Sequence, residues 1–327
     1  MNPVRVAVDA MGGDRAPEEI VAGALQAASQ DVAPVLYGPR ERLAPLAGDL
    51  AIVPAEQVVA MDEKPSDAVR EKRESSLFLA CRAVGAGDAE AVVSAGNTGA
   101  ALAAGLVEIR RLPAVQRPAI AVPLPAVGGP CLLLDAGANA DARPEHLVQF
   151  AQMGTVFAQE ILDIEEPEVA LLSIGEEPEK GNRLVREAHA DLAQSGLRFV
   201  GNVEGRDLLA KAADVVVCDG FTGNMALKLL EGTIKTTLDM FRAEVTASLR
   251  GKLGGLLIRP AARSMRERLD PETYGGAYLL GLRGLIVIAH GNSSRRAIAN
   301  AVRYAARGVR SGVVEHLGER VGADRAG

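Results

Sequence analysis

Short apolar runs recur along the chain, at 4–8, 32–37, 91–93, 119–124, 131–134, 169–173, 198–201, 214–217 and 285–289. They are rich in Val, Ile, Leu and Ala and bounded by Gly, Pro, Asn or Asp, which predicts strands. Between most of them apolar positions return every three or four residues, predicting helices over 17–29, 67–86, 98–111, 144–162, 182–194 and 224–249. Alternation of this kind implies βαβ units and a mainly parallel sheet. One connection departs from it: 119–124 and 131–134 are joined only by PAVGGP, too short for a crossover helix, so these two strands should pair antiparallel. The expected fold is α/β, a mixed, mainly parallel sheet in an α/β/α sandwich, with a single domain over 1–327.

Within that domain, 224–271 stands apart as an expected protruding helical hairpin. A long helix should run from Asn224 toward Leu249, break at RGKLGGLLIRP (250–260), and resume as a basic helix to Leu269. Leu253, Leu256, Leu257 and Ile258 then form an apolar tip flanked by Arg250, Lys252 and Arg259. Such a tip suits a membrane interface with anionic headgroups, or a dimer interface, and the two are compatible.

Composition narrows the class. A chain of 327 residues with 48% hydrophobic content can bury a large core, and with no Trp and 3% aromatics that core must be aliphatic. Few aromatics also argue against nucleic-acid stacking surfaces. The opening MNPVRVAVDAMGGD reads as strand and turn rather than a secretory signal, and no apolar run approaches the ~18 residues of a membrane span. Cys81, Cys131 and Cys218 lack metal or redox spacing and read as buried thiols in a reducing cytoplasm. The formal charge is −6, yet 242–268 holds seven bases and two acids, and 282–310 six arginines and no acid. Those segments are either solvated helix faces or a surface for an acidic partner.

The candidate chemistry lies where strands end. SAGNTG (94–99), DAGANAD (135–141), SIGEEPEKGN (173–182) and CDGFTGN (218–224) each turn an apolar strand into a helix, and DAMGGD (9–14) ends the first strand. Free N–H groups at a helix start attract anions, and in an open α/β sheet such strand ends are expected to share one edge. Ser94, Asn97, Thr98 and Gly99 offer more donors than one cap needs, and Gly12 and Gly13 permit close backbone approach, although a tight structural turn explains them too. Lys180 is either a solvated loop lysine or a cation held by Glu176, Glu177 and Glu179 and aimed at phosphate. Asn139, Asp219 and Asn224 exceed what capping requires. His290 is a structural histidine or a proton donor. GxGxxG, GxSxG, HExxH and the P-loop are all missing, so no cofactor or metal is expected. Anion seats without a protein nucleophile suit direct attack by phosphate, which needs position and charge neutralisation more than a base.

DAMGGD, VSAGNTGA, RPAIAVPLP, LLDAGAN, IGEEPEKGN, GNVEGRD, CDGFTGNMALK and YGGAYLLGLRGLIVIAHG, in this order, resemble the signature blocks of the PlsX-type phosphate acyltransferase family. The resemblance implies reversible acyl transfer from acyl carrier protein to inorganic phosphate, giving acyl phosphate for phospholipid synthesis. It also implies a homodimer, a fold akin to isocitrate and isopropylmalate dehydrogenases and phosphotransacetylase, and a cytoplasmic protein peripherally attached to the membrane. On this reading phosphate sits on Gly12, Gly13, Ser94, Asn97, Thr98 and Gly99 with Lys180 nearby. Asn139 and Asn224 hold the oxyanion, Asp219 orients these donors, and His290 is the candidate general acid. Arg183, after KGN, departs from the acid expected there. The alternative is a phosphotransacetylase-like enzyme using acyl-CoA.

Overall fold

The computed structural model describes residues 2–270 and 275–323. Its strands, in chain order, are β1 (Val4–Asp9), β2 (Val32–Gly38), β3 (Ala51–Pro54), β4 (Ala91–Ser94), β5 (Ala119–Leu124), β6 (Cys131–Leu134), β7 (Val169–Ser173), β8 (Phe199–Glu204), β9 (Val215–Val217), β10 (Ala277–Leu280) and β11 (Leu285–Ile288). They form one sheet in the order β3-β2-β1-β4-β11-β10-β5-β6-β9-β7-β8. The expected β5/β6 antiparallel pair is present, with Ala121 opposite Leu134 and Leu124 opposite Cys131. β3 and β10 go beyond the strands that the sequence predicts: β3 is a partly exposed edge strand, and β10 lies between Gly275-Gly276 and Gly281.

Strand direction overturns one expectation. β3, β2, β1, β4 and β11 are parallel to one another, as are β6, β9, β7 and β8. Between the two groups lie three antiparallel contacts, β11/β10, β10/β5 and β5/β6. An odd number of reversals makes the groups point opposite ways. The carboxyl ends of β1, β4 and β11 therefore occupy one edge of the sheet and those of β6, β7 and β9 the other, not a shared edge.

The helices are α1 (Glu18–Ala27), α2 (Arg40–Leu43), α3 (Pro65–Glu71), α4 (Ser76–Ala86), α5 (Thr98–Ala104, continued by a π-turn over Gly105–Ile109), α6 (Pro144–Leu162), α7 (Arg183–Ala193), α8 (Gly220–Thr246), α9 (Leu249–Leu269), α10 (Arg295–Arg310) and α11 (Val313–Ala323). Central strands are apolar at successive positions because helices cover both faces. Val6, Val93, Leu134 and Val217 face α1, α6 and α10, while Ala7, Val92, Leu133 and Val216 face α4, α5 and α8. Gly23 lets α1 lie close on α10, since a Cβ there would fall 2.5 Å from Ile298 Cβ. Each large side chain buried this way, such as Phe150 or Phe157, contributes about 1.5–3 kcal/mol.

Two helix expectations are corrected. The run 67–86 splits into α3 and α4, because Lys72 Nζ is tied to Glu63 Oε2 (2.7 Å) and the Val58 carbonyl, and Ser76 Oγ donates to the buried Asp9 carboxylate (2.6 Å). The break expected at 250–260 instead falls at 247–248, where Ser248 Oγ accepts the Gly251 N–H and caps α9. Pro260 lies inside α9. No residue of α9 is buried, so water can satisfy the carbonyl that proline leaves without a donor. Pro271, at the end of the expected hairpin, and Tyr274, in the last sequence block, lie outside the described residues.

Candidate active site

At the first edge the turns after β1, β4 and β11 meet and bond to one another. Asp9 is buried and accepts hydrogen bonds from Ser76 Oγ and from Ser94 Oγ (2.7 Å). Burial pushes its carboxyl pKa upward, against the pull of these donors. Ser94 Oγ in turn accepts the Gly96 N–H at 3.1 Å. A Cβ on Gly12 would overlap Asp9 Oδ2, and Gly13 has φ +108° beside the Gly291 carbonyl, which accepts the Asp14 N–H (2.7 Å). Asn97 Oδ1 caps α5 by accepting the Ala100 N–H, while its Nδ2 donates to the carbonyls of Met61 and Glu63, each bond 2.9 Å. Gly99 lies under Pro65, and Thr98 is exposed. The apparent surplus of donors is thus largely spent inside the fold: Ser94 serves Asp9, and Asn97 fastens the 61–63 segment.

His290 also belongs to this edge. Its Nε2 lies 3.2 Å from Glu231 Oε1 on α8, and Lys228 Nζ approaches Glu231 Oε2 at 3.0 Å. Burial acts upward on the Glu231 carboxyl, but the bonds from His290 and Lys228 hold it below its ordinary value.

The second edge is organised by Asp135, which is fully buried. Its Oδ1 accepts the N–H groups of Ile120 (3.0 Å), Gly137 (3.1 Å) and Ala138 (2.9 Å). Its Oδ2 accepts the Asn139 N–H (2.7 Å) and Asn139 Nδ2 (2.8 Å). Asn139 Nδ2 also donates to the Pro118 carbonyl at 2.7 Å. The Asn139 carbonyl receives the Gly220 N–H (2.7 Å), which sets the start of α8 beside this loop. Asp219 caps α8, accepting from Thr222 N–H (2.9 Å) and Thr222 Oγ1 (2.7 Å). Its carboxylate is therefore engaged in the cap, contrary to the expectation that it orients catalytic donors. Asn224 is exposed and faces Gly137, whose φ is +138°.

Lys180 follows β7 on the same edge. It is exposed, and among the described residues its ammonium makes no ion pair or hydrogen bond, so the three nearby glutamates do not hold it. Arg183 turns to Glu187 (2.7 Å), which removes it as a competing charge. The structure thus brings Lys180, Asn139, Asp219 and Asn224 to one edge and places Gly12, Gly13, Ser94, Asn97, Thr98, Gly99 and His290 at the opposite one. α8 connects them across the face it shares with α5: Glu231 lies seven residues beyond Asn224, about 10 Å along the helix axis.

Sequence reasoning missed the neighbours of Asn139. A pocket of about 660 Å³ lies beside it, lined among others by Arg117, Arg143 and His146. Arg117 was visible only as the first residue of the RPAIAVPLP block, and His146 gave no signal inside an apolar helix. Among the described residues no side chain is set up as a nucleophile. All three thiols are buried and their pKa values pushed upward, Cys131 to about 12. The histidines bond to the Arg143 backbone, Asn202, Glu231 and Glu160 rather than to a Ser or Cys. Among the described residues no group of His, Cys, Asp and Glu could hold a metal ion, and no helix is long and apolar enough to cross a membrane.

Comparison with known proteins places the chain in a family. Residues 4–316 match the family described as fatty acid synthesis protein. The phosphate acyltransferase of Heliobacterium modesticaldum is 46% identical over 327 residues, covering 97% of this chain and 98% of that protein. That of Geobacter sulfurreducens is 47% identical over 326 residues, covering 97% and 94%. Among solved structures, a phosphotransacetylase from Streptococcus pyogenes superposes with TM-score 0.63 at 16% identity, covering 94% of each chain. The 4-hydroxythreonine-4-phosphate dehydrogenase of Klebsiella pneumoniae gives 0.53 at 13%, covering 93% and 98%. These last two share the fold. The match along almost the whole chain shows that this protein belongs to the fatty acid synthesis protein family, the PlsX-type phosphate acyltransferases, and is an acyltransferase.

Proposed function

We propose that the chain transfers a fatty acyl group reversibly from an acyl carrier protein thioester to inorganic phosphate, and that the acyl phosphate feeds phospholipid synthesis. The observation that carries this reading is the edge that holds Lys180, Asn139 and Asn224, where the side chains of Lys180 and Asn224 make no hydrogen bond or ion pair and no activated nucleophile stands among the described residues. A phosphate oxygen attacks the thioester carbonyl, the tetrahedral intermediate collapses, and the C–S bond breaks to release the carrier thiol. Lys180 offsets the charge of the incoming dianion. Both Nδ2 hydrogens of Asn139 are already donated, so Asn224 is the better oxyanion donor and Asn139 the scaffold that fixes the start of α8. An alkyl thiol, with a pKa of about 8.5, leaves without an obligatory acid. His290, paired with Glu231 at the other edge, is not needed.

The carrier and membrane parts of the reading rest on surfaces. α9 presents five arginines and one lysine and has no buried residue, which suits an acidic carrier protein and anionic headgroups. Leu253, Leu256, Leu257 and Ile258 are exposed on it, the apolar part of a peripheral membrane contact at the cytoplasmic face. On α8, Phe221, Met225 and Leu229 form an exposed stripe at helical spacing, suited to a second copy in a homodimer. α8 and α9 together are read as the protruding hairpin, and kinship with isocitrate and isopropylmalate dehydrogenases belongs to the same proposal.

The test is incubation of the purified protein with long-chain acyl carrier protein, with and without phosphate, and mass spectrometry for the mixed anhydride. Phosphate-dependent thioester loss is expected, and Lys180→Ala should lower kcat/KM by about a hundredfold with unchanged thermal stability. A trapped covalent acyl-enzyme would refute direct attack. Equal turnover with acyl-CoA would favour the phosphotransacetylase-like alternative.

A further inference from the structure

The pocket beside Asn139 combines two kinds of wall. One is cationic: Arg111, Arg117, Arg143 and His146 line it, and none of the residues lining it is an acid. The other is apolar, including Leu102 on α5 and Leu106 on the π-turn that continues it. The cations differ in how they are held. Arg111 is anchored, its Nη1 donating to the carbonyls of Val115 (2.8 Å) and Gln116 (2.5 Å), which fixes one guanidinium at the pocket wall. Arg117 is exposed and, among the described residues, makes no ion pair or side-chain hydrogen bond. Arg143 has only a 3.8 Å contact with Glu145, at a side chain 75% exposed. One guanidinium is thus unpartnered and a second only weakly held, beside a third anchored to the wall.

His146 completes the lining as a neutral donor. Its ring is buried, its Nδ1 accepts the Arg143 N–H (3.2 Å), and the ring proton must therefore sit on Nε2. Burial, with Arg117 and Arg143 nearby, keeps its pKa below the ordinary value despite Glu145. Planar guanidinium groups match phosphoryl oxygens in pairs of parallel hydrogen bonds. A cavity of about 660 Å³ is larger than an inorganic anion needs and lies in the range of sites for ligands with an apolar body.

We infer that this pocket is the phosphoryl subsite, with Arg117 and Arg143 binding inorganic phosphate and the phosphoryl end of the acyl phosphate, whose alkyl chain lies against Leu102 and Leu106. This rests on the phosphate acyltransferase reading and relocates phosphate from the Ser94–Gly99 turn to the edge that holds Lys180 and Asn224. The test uses Arg117→Gln, Arg143→Gln and the double variant. Thermal shift by inorganic phosphate, read without any acyl donor, should weaken at least tenfold in apparent affinity in the double variant. KM for phosphate should rise at least tenfold while KM for acyl carrier protein substrate changes less than twofold, and Arg117→Lys should recover part of the loss. Pantetheine 4′-phosphate serves as the second probe. If the variants lose its binding and raise KM for the acyl carrier substrate while phosphate is unaffected, the pocket reads the carrier arm and the inference fails. It also fails if neither ligand is affected in variants whose ligand-free melting temperature equals wild type. A wild-type protein that binds phosphate here yet forms no acyl phosphate would sink the enzymatic reading and leave the subsite standing.

Discussion

Removing the Asp135 carboxylate should unfold the second edge before it alters any substrate contact. Five N–H donors converge on this buried side chain: three on Oδ1 from Ile120, Gly137 and Ala138, and two on Oδ2 from Asn139. Asp135→Ala strands all five. At ~1 kcal/mol for each, the low end for an unsatisfied buried donor, the loss is about 5 kcal/mol. The low end is appropriate because burial pushes this carboxyl's pKa upward, so part of the cost of a buried charge is recovered when it is deleted. Whole-domain stabilities are only ~5–15 kcal/mol, so this variant should be barely folded or unfolded. Asp135→Asn is the informative companion. It keeps one carbonyl oxygen for the Oδ1 donors but turns an NH₂ toward Asn139 N–H and Nδ2, losing two charge-assisted bonds worth about 3 kcal/mol together. Urea denaturation followed by circular dichroism reads both. If Asp135→Ala lies within about 1 kcal/mol of wild type, the view that this carboxylate holds the Asn139 loop and the start of α8 is refuted.

Three further outcomes follow from the same geometry. Gly223→Ala places a methyl group into the Asp135 carbonyl oxygen and should cost more than about 2 kcal/mol in the same urea assay. Glu19 accepts the Arg295 N–H (2.7 Å) and its guanidinium, whose hydrogen bonds lower the carboxyl pKa to about 2 from 4.5. A depressed pKa stabilises the fold above the unfolded value and loses that contribution as pH falls, so wild type should weaken between about pH 4.5 and about pH 2 more than Glu19→Gln does, read as urea midpoint against pH. Replacing Leu257 and Ile258, both exposed on α9, with Asp should abolish co-sedimentation with anionic liposomes; unchanged sedimentation would remove the tip from membrane contact.

Much of the fold is legible in the chain because central strands buried on both faces read as uninterrupted apolar runs. β5, β6 and β7 fall where the pattern puts them. β3 is hidden by its partial exposure, and β10 by the glycines that bracket it, Gly275 and Gly276 before and Gly281 after, all at positive φ. The sequence points to a helix break at 250–260, where Gly254, Gly255 and Pro260 are strong local signals; an unpacked, solvated helix tolerates them, and Ser248 supplies the cap two residues earlier. The error about the shared edge is more instructive. The β5/β6 hairpin already carries the reversal, since every strand parallel to β6 must oppose every strand parallel to β5. Turn composition alone could not separate the two edges, because both are built from the same small and amide residues.

What separates them is how much hydrogen-bonding capacity each side chain has left. For Ser94 to bind phosphate it would have to release Asp9 Oδ2, leaving a buried carboxylate one donor short at a cost of ~1–3 kcal/mol. That penalty alone weakens binding by about one to two orders of magnitude. Asn97 would lose its α5 cap or its hold on Met61 and Glu63. Among the described residues the side chains of Lys180 and Arg117 have no internal partner to give up, and Asn224 stands exposed at the head of α8. A dianion arriving at their edge gains charge-assisted bonds and breaks none in the fold. Identical residue types at strand ends thus divide into scaffold and site according to what the fold has already consumed, and that division favours the edge of β6, β7 and β9 as the place where phosphate meets the thioester.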